Sequence, residues 1–383
     1  LDLAAEIVCA AAMFYLAWRA IRNARYQTKS EIAYVTLSIW GWVPLLFDSL
    51  PWTDLYPHYL VILYPTLFLV IGTGLASLFK RLNAHSVRLV GALGILAVVM
   101  WQTYNVLYLY TFVGRYITDG GYGLPVHYYI AAAHRLESLA RTASRAQALV
   151  ISDSDDVRLA QDAAVLNYLL KDHLPTRFVN GHECTVFPAA GNDSILLVWP
   201  SAGEAALRLA ETYGQEVESL DLPEAEGTLR FFDWPGRDPS PLLNLTLFPA
   251  STTRWANGVE LIGADLADPS SPGMICWMTA WRVLETPPPG VDYHWFNHLV
   301  DYEERKIGQR DGVPLAADNW RIGDTVVAWY DIPIAPETKP GDYTMRVGMY
   351  TYPDICNVPL LDTASNVTAE YVSLGPIPIG DVS

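Results

Sequence analysis

The chain has 383 residues, 51% of them hydrophobic, with 25 Lys and Arg against 41 Asp and Glu, a formal charge of −16. A surplus of that sign excludes nucleic acid as a partner, because no basic surface is present to release counterions from phosphate. The excess is uneven: residues 1–113 hold 7 basic and 5 acidic side chains, whereas residues 114–383 hold 18 and 36. A step from +2 to −18 marks a boundary between two physical environments.

Four apolar stretches precede the boundary: Leu3–Ile21, Ile32–Leu50, Tyr59–Phe79 and Leu89–Val113. Each is close to the roughly 20 residues that a helix needs to cross a hydrocarbon core of about 30 Å. Pro44 and Asp48 interrupt the second. Arg19, Arg22, Arg25 and Lys29 fall at or between the first two stretches, and Lys80, Arg81 and Arg88 between the last two. The opposite connection, Pro51 to His58, carries Asp54 and no Lys or Arg. The positive-inside rule then places the basic loops in the cytoplasm and everything after residue 113 outside it. Trp52, Tyr56 and Tyr59 fit an aromatic belt at the outer face. The expectation is a multi-pass plasma-membrane protein with a helical transmembrane bundle over residues 1–113. The same rule puts Leu1 outside, with neither Met nor a signal peptide before it. That favours the C-terminal part of a longer polytopic protein over a cleaved precursor.

Residues 126–234 alternate between helix and strand patterns. Helices are expected over His127–Ser144, Leu159–Leu170 and Ala202–Tyr213, with short apolar strands at Ala148–Ile151, Thr176–Val179 and Ser194–Trp199. This periodicity predicts a small α/β domain with a largely parallel sheet. A Pro-rich join, Trp234-Pro235-Gly236 to Pro241, follows. Residues 241–383 then show about seven short alternating runs: Leu243–Phe248, Gly258–Leu266, Met274–Val283, Tyr293–Val300, Thr325–Asp331, Tyr343–Tyr350 and Ala369–Leu374. Separated by Pro-, Gly- and Asp-rich loops, they predict an antiparallel β-sandwich domain. Lys339-Pro340-Gly341-Asp342-Tyr343 has the form of a turn entering a late strand, with Tyr343 placed to pin the corner. Cys276 and Cys356 both fall in the sandwich, and whether they pair stays open. Asn192-Asp-Ser, Asn244-Leu-Thr and Asn366-Val-Thr match the glycosylation sequon, a triplet common by chance.

Candidate chemistry centres on the outer end of the third stretch. His58 and Tyr59 lead through Tyr64-Pro65 into a long apolar run. A protonatable side chain there, backed by tyrosines, can meet a lipid phosphate at headgroup level, or can serve only as an interfacial anchor. Asp48 and Asp54 flank the same face as candidate cavity acids. Two further groups are weighed as decoys. Ser152-Asp153-Ser154-Asp155-Asp156 has the spacing of carboxylates that hold a divalent metal against a diphosphate, but fits a solvated loop or helix N-terminus better. His294 and His298 share one strand face but sit about 13 Å apart at strand rise, too far for one metal. Partly buried, hydrogen-bonded histidines are the better account, and no cofactor or metal is expected.

The run Pro57-His58-Tyr59-Leu60-Val61-Ile62-Leu63-Tyr64-Pro65 resembles the (Arg/His)-Tyr-x-x-x-x-Tyr-Pro segment of polytopic GT-C glycosyltransferases, the protein-mannosyltransferase and aminoarabinose-transferase-like enzymes. His294-Trp295-Phe296-Asn297-His298-Leu299-Val300-Asp301, the Asp311-Gly312 turn, Trp320, and Pro340-Gly341-Asp342-Tyr343 to Val347-Gly348-Met349-Tyr350 are similar to a C-terminal module of bacterial members. The resemblance implies sugar transfer from a polyprenyl-phosphate donor to an acceptor glycan or protein outside the cytoplasm. His58, Tyr59 and Tyr64 would hold the lipid phosphate, while the family's catalytic acidic residue has no matching position in this chain. The alternative is a non-catalytic membrane-anchored scaffold subunit, whose outer domains bind a partner protein or a surface glycan; a membrane protein is a further candidate partner.

Overall fold

The computed structural model describes residues 14, 18, 21–22, 35–43, 69, 72, 85–117 and 123–380, other than 224–226, 242, 250–252, 268–272, 289 and 363. They belong to two units, Leu1–Pro125 and Val126–Ser383. In the first, helix α1 spans His85–Val113. Its sequence has no proline to break the hydrogen-bond ladder, and Leu, Val, Ala and Met dominate its first half. None of the 26 residues Arg88–Val113 is buried. At about 1.5 Å per residue that stretch covers about 39 Å, enough for a hydrocarbon core of about 30 Å.

The expected transmembrane bundle is corrected here. Among the described residues α1 is the one helix long and apolar enough to cross a membrane, and strands dominate the fold. The expectation rests on apolar content alone, and most residues of the first three stretches lie outside the described residues.

The second unit opens with α2 (Val126–Thr142), β1 (Gln147–Ser152), α3 (Gln161–Leu170), β2 (Thr176–Asn180), β3 (Cys184–Phe187), β4 (Ser194–Val198), α4 (Glu204–Tyr213), β5 (Gln215–Asp221) and β6 (Thr228–Trp234). Five of these strands form a sheet in the order β2-β1-β4-β6-β5. The largely parallel sheet expected from the sequence is mixed. β1 runs parallel to β2 and β4, whereas β6 is antiparallel to both β4 and β5. Helices α2 and α3 pack on each other and on β1. The alternate side chains Leu149 and Ile151 join Ala206 and Ala210 of α4 in a core that continues into the sandwich.

The remaining strands are β7 (Arg254–Trp255), β8 (Val259–Ala267), β9 (Met274–Val283), β10 (Asp292–Val300), β11 (Lys306–Gly312), β12 (Thr325–Pro333), β13 (Gly341–Tyr352), β14 (Cys356–Asn357), β15 (Leu360–Leu361), β16 (Val367–Ala369) and β17 (Tyr371–Ile379). One sheet has seven strands, β16-β15-β7-β8-β9-β12-β3; the other has five, β11-β10-β13-β14 with β17 also on β13. Thus β3, from within the α/β segment, completes a sandwich sheet by pairing with β12. The α/β layer and the sandwich are joined by a shared strand, which corrects the expected succession of separate folds.

Between the sheets lie Trp255, Trp277, Trp281, Trp295 and Trp320, each under 2% exposed. Trp281 and Trp295 meet at 4.6 Å between ring centres, and Trp277 Nε1 donates across the sheets to Asn297 Oδ1 at 3.0 Å. A buried aromatic removes roughly 150–250 Å² from water, about 4–6 kcal/mol gross at 25 cal/mol per Å² before entropy is counted. Tyr343 donates to the Lys339 carbonyl at 2.7 Å, the corner bond its position predicts. Cys276 lies on β9 of one sheet and Cys356 on β14 of the other.

Candidate functional site

Alternation along β10 sends Trp295, Asn297 and Leu299 inward, and leaves Asp292, His294, Phe296 and His298 on the outer face of the five-stranded sheet. Register then decides their neighbours. Tyr350 lies opposite His294, Gly348 opposite Phe296, Tyr352 opposite Asp292, and Asp311 of β11 opposite Phe296 on the other side. The outcome is a continuous patch of rings with a carboxylate set among them.

His294 is stacked between two tyrosines, 5.2 Å from Tyr350 and 4.9 Å from Tyr352, with ring planes near parallel at 29° and 30°. Phe296 lies 4.8 Å from the His298 ring and 6.4 Å from Tyr350. It fills the space above Gly348, where an added Cβ would sit 2.3 Å from the Phe296 ring. His298 Nε2 is 3.2 Å from Asp311 Oδ1; since a carboxylate only accepts, this nitrogen carries the proton. Tyr350 Oη lies 3.5 Å from the other Asp311 oxygen and 3.4 Å from His294 Nδ1. Burial, followed by the Asp311 charge and hydrogen bond, pushes the Tyr350 phenol up, so it remains a donor at neutral pH. The side chains of His298 and Asp311 are 26% and 27% exposed, within reach of a ligand. Beyond them Arg346 stacks over Tyr371 at 4.8 Å and pairs with Glu304 at 2.9 Å.

The two histidines are therefore linked through Tyr350 and Asp311, although they are too far apart to share a ligand atom directly. The sequence marks both but misses their partners, because cross-strand register is not written in either strand alone. Asp311-Gly312, expected as a turn, instead ends β11.

The Ser152–Asp156 loop leaves the C-terminal end of β1, where the chain continues to β2 on one side and β4 on the other, a switch point at which α/β sheets often bind ligands. Asp156 is engaged locally with Arg158, and the Ser154 hydroxyl accepts from the Asp156 amide. Burial pushes up the carboxyls of Asp155, Asp162 and Glu183, and Tyr129 donates to Asp162. Among the described residues no group of three or more His, Cys, Asp or Glu is arranged to hold a metal ion. His58, Tyr59, Tyr64, Asp48 and Asp54 lie outside the described residues. Compared with known proteins, the chain matches no family and no curated protein.

Proposed function

We propose that this chain is a membrane-tethered, glycan-binding part of a polyprenyl-phosphate-dependent glycosyltransferase, with the outer face of its five-stranded sheet as the sugar-binding surface. The observation that carries the reading is the His294–Tyr350–Tyr352 stack beside Asp311. A pyranose has an apolar face of C–H groups and a rim of hydroxyls. Exposed aromatic surface at the end of the stack matches the first, and a carboxylate with imidazole and phenol neighbours matches the second. The tether is α1. His85 and Arg88 stand at its start, while Trp101, Tyr104, Tyr108 and Tyr110 occupy its later part, a polarity that suits a cytoplasmic beginning and an aromatic outer belt. The transferase part of the proposal rests on the resemblance around His58, Tyr59 and Tyr64, whose imidazole and phenols would meet the donor's phosphate. The catalytic acid would lie elsewhere.

The test reconstitutes the full chain in liposomes and measures retention of fluorescent neutral oligosaccharides on sedimentation. Retention that falls about tenfold in Asp311→Ala, the loss of roughly one hydrogen bond to a charged group, is the expected result. Wild-type vesicles that retain no sugar would remove the reading.

A further inference from the structure

We infer that Tyr352 is the stacking platform of this surface and that, with Asp292 beside it, it selects an uncharged glycan over uronic or phosphorylated ones. This rests on the glycan reading above and narrows it. Tyr352 is the most exposed ring of the patch, 53% exposed, and yet it is not loose. One side of the ring is braced by His294 at 4.9 Å, and His294 is itself braced by Tyr350 at 5.2 Å. A large aromatic left in water but held from behind is pre-organised for a flat partner, because little rotamer freedom remains to be lost on binding.

Charge around the platform gives the selection. Asp292 is directly opposite Tyr352 in the register and exposed, and Asp311 lies farther along the same face. Both carboxylates can accept hydrogen bonds from sugar hydroxyls, and both repel a carboxylate or phosphate substituent. The one guanidinium described on this face, Arg346, is already engaged with Glu304 and stacked on Tyr371. The surrounding residues 114–383 add a net −18. An anionic glycan would meet that field while the Arg346 guanidinium is already held by Glu304.

The experiment titrates gluco-, manno- and galacto-tetraose, and the matching tetrauronates, against the full chain in detergent micelles. At least one neutral tetrasaccharide should bind, with its uronate at least tenfold weaker at low salt. The gap should narrow at 0.5 M salt, where the Debye length falls to a few Å (about 3 Å at 1 M). Tyr352→Ala should lose at least tenfold in affinity with an unchanged melting curve, Tyr352→Trp should keep binding, and Asp292→Asn should reduce the uronate penalty. A uronate that binds as tightly as its neutral counterpart overturns the selection. Unchanged affinity in Tyr352→Ala overturns the platform while leaving the glycan reading intact. Binding of no sugar in the panel overturns the glycan reading itself.

Discussion

Glu183 follows β2 in a turn, where burial pushes its carboxyl up, the charge of Arg310 opposes this, and Asp155 adds to it. The native state therefore holds this proton more tightly than the unfolded chain does. Between the unfolded glutamate value of about 4.3 and the higher native value, stability must fall as pH rises. Asp155 and Asp162 are raised, first by burial, and act in the same direction. Glu183→Gln removes the ionisable proton at similar size. It should raise the melting temperature at pH 7, and the gain should shrink to nothing as the pH is brought below about 4, where the wild-type carboxyl is also neutral. Melting curves from pH 3.5 to 8 check this. A gain that stays constant across that range would mean the charge is not what costs stability at this position.

At the scale of elements, Gly348 shows how a strand position can be fixed by a neighbour. It faces outward on β13, and Phe296 of β10 lies across it; an added Cβ would be 2.3 Å from that ring and 3.0 Å from the Glu370 carbonyl. Gly348→Ala should therefore displace Phe296, costing about 1–3 kcal/mol as an overpacked contact. Urea unfolding measures the loss, and an unchanged midpoint would show that Phe296 moves aside freely. The sequence displays a glycine within an alternating run and a phenylalanine some fifty residues earlier, but not their contact. The same limit explains which strands could be read. Met274–Val283 and Thr325–Pro333 are rich in Val, Ile, Trp and Thr, and their periodicity is plain. Lys306–Gly312, with two glycines and three charges, has no such signal and becomes a strand through its pairing with β10. Leu243–Phe248 has the signal but contributes only a bridge between Leu247 and Ala264, in a segment flanked by Pro241 and Pro249. The candidate site divides likewise. His294 and His298 stand out in the sequence, whereas Asp311 and Tyr352 acquire their meaning only from register.

On the scale of the second unit, segment 235–241 reads in the sequence as an exposed join between two cores, and the fold packs it. The Gly236 amide donates to Asp193, its carbonyl accepts from Gly191, Arg282 reaches Asp238 at 2.7 Å, and Pro239 is buried. Stronger ties cross the same division. All four side chains of β3 are buried where it pairs with β12 and completes that sheet. Arg177 on β2 is paired with Asp324, their side chains 10% and 2% exposed, and Asp324 also accepts from the Ala189 amide at 3.1 Å. Removing one member of a buried pair costs about 3–5 kcal/mol, because the other charge is left without its partner. A fragment of residues 126–383 should accordingly unfold in a single cooperative transition, and Arg177→Ala should shift that whole transition without splitting it. Residues 126–234 alone should be recovered as aggregate, since β3 would expose Cys184, Val186 and Phe187 along an unpaired edge. Calorimetry on the longer fragment and solubility of the shorter one decide the matter. Two resolved transitions, or a soluble and folded 126–234, would mean that the two layers keep independent cores despite the strand they share.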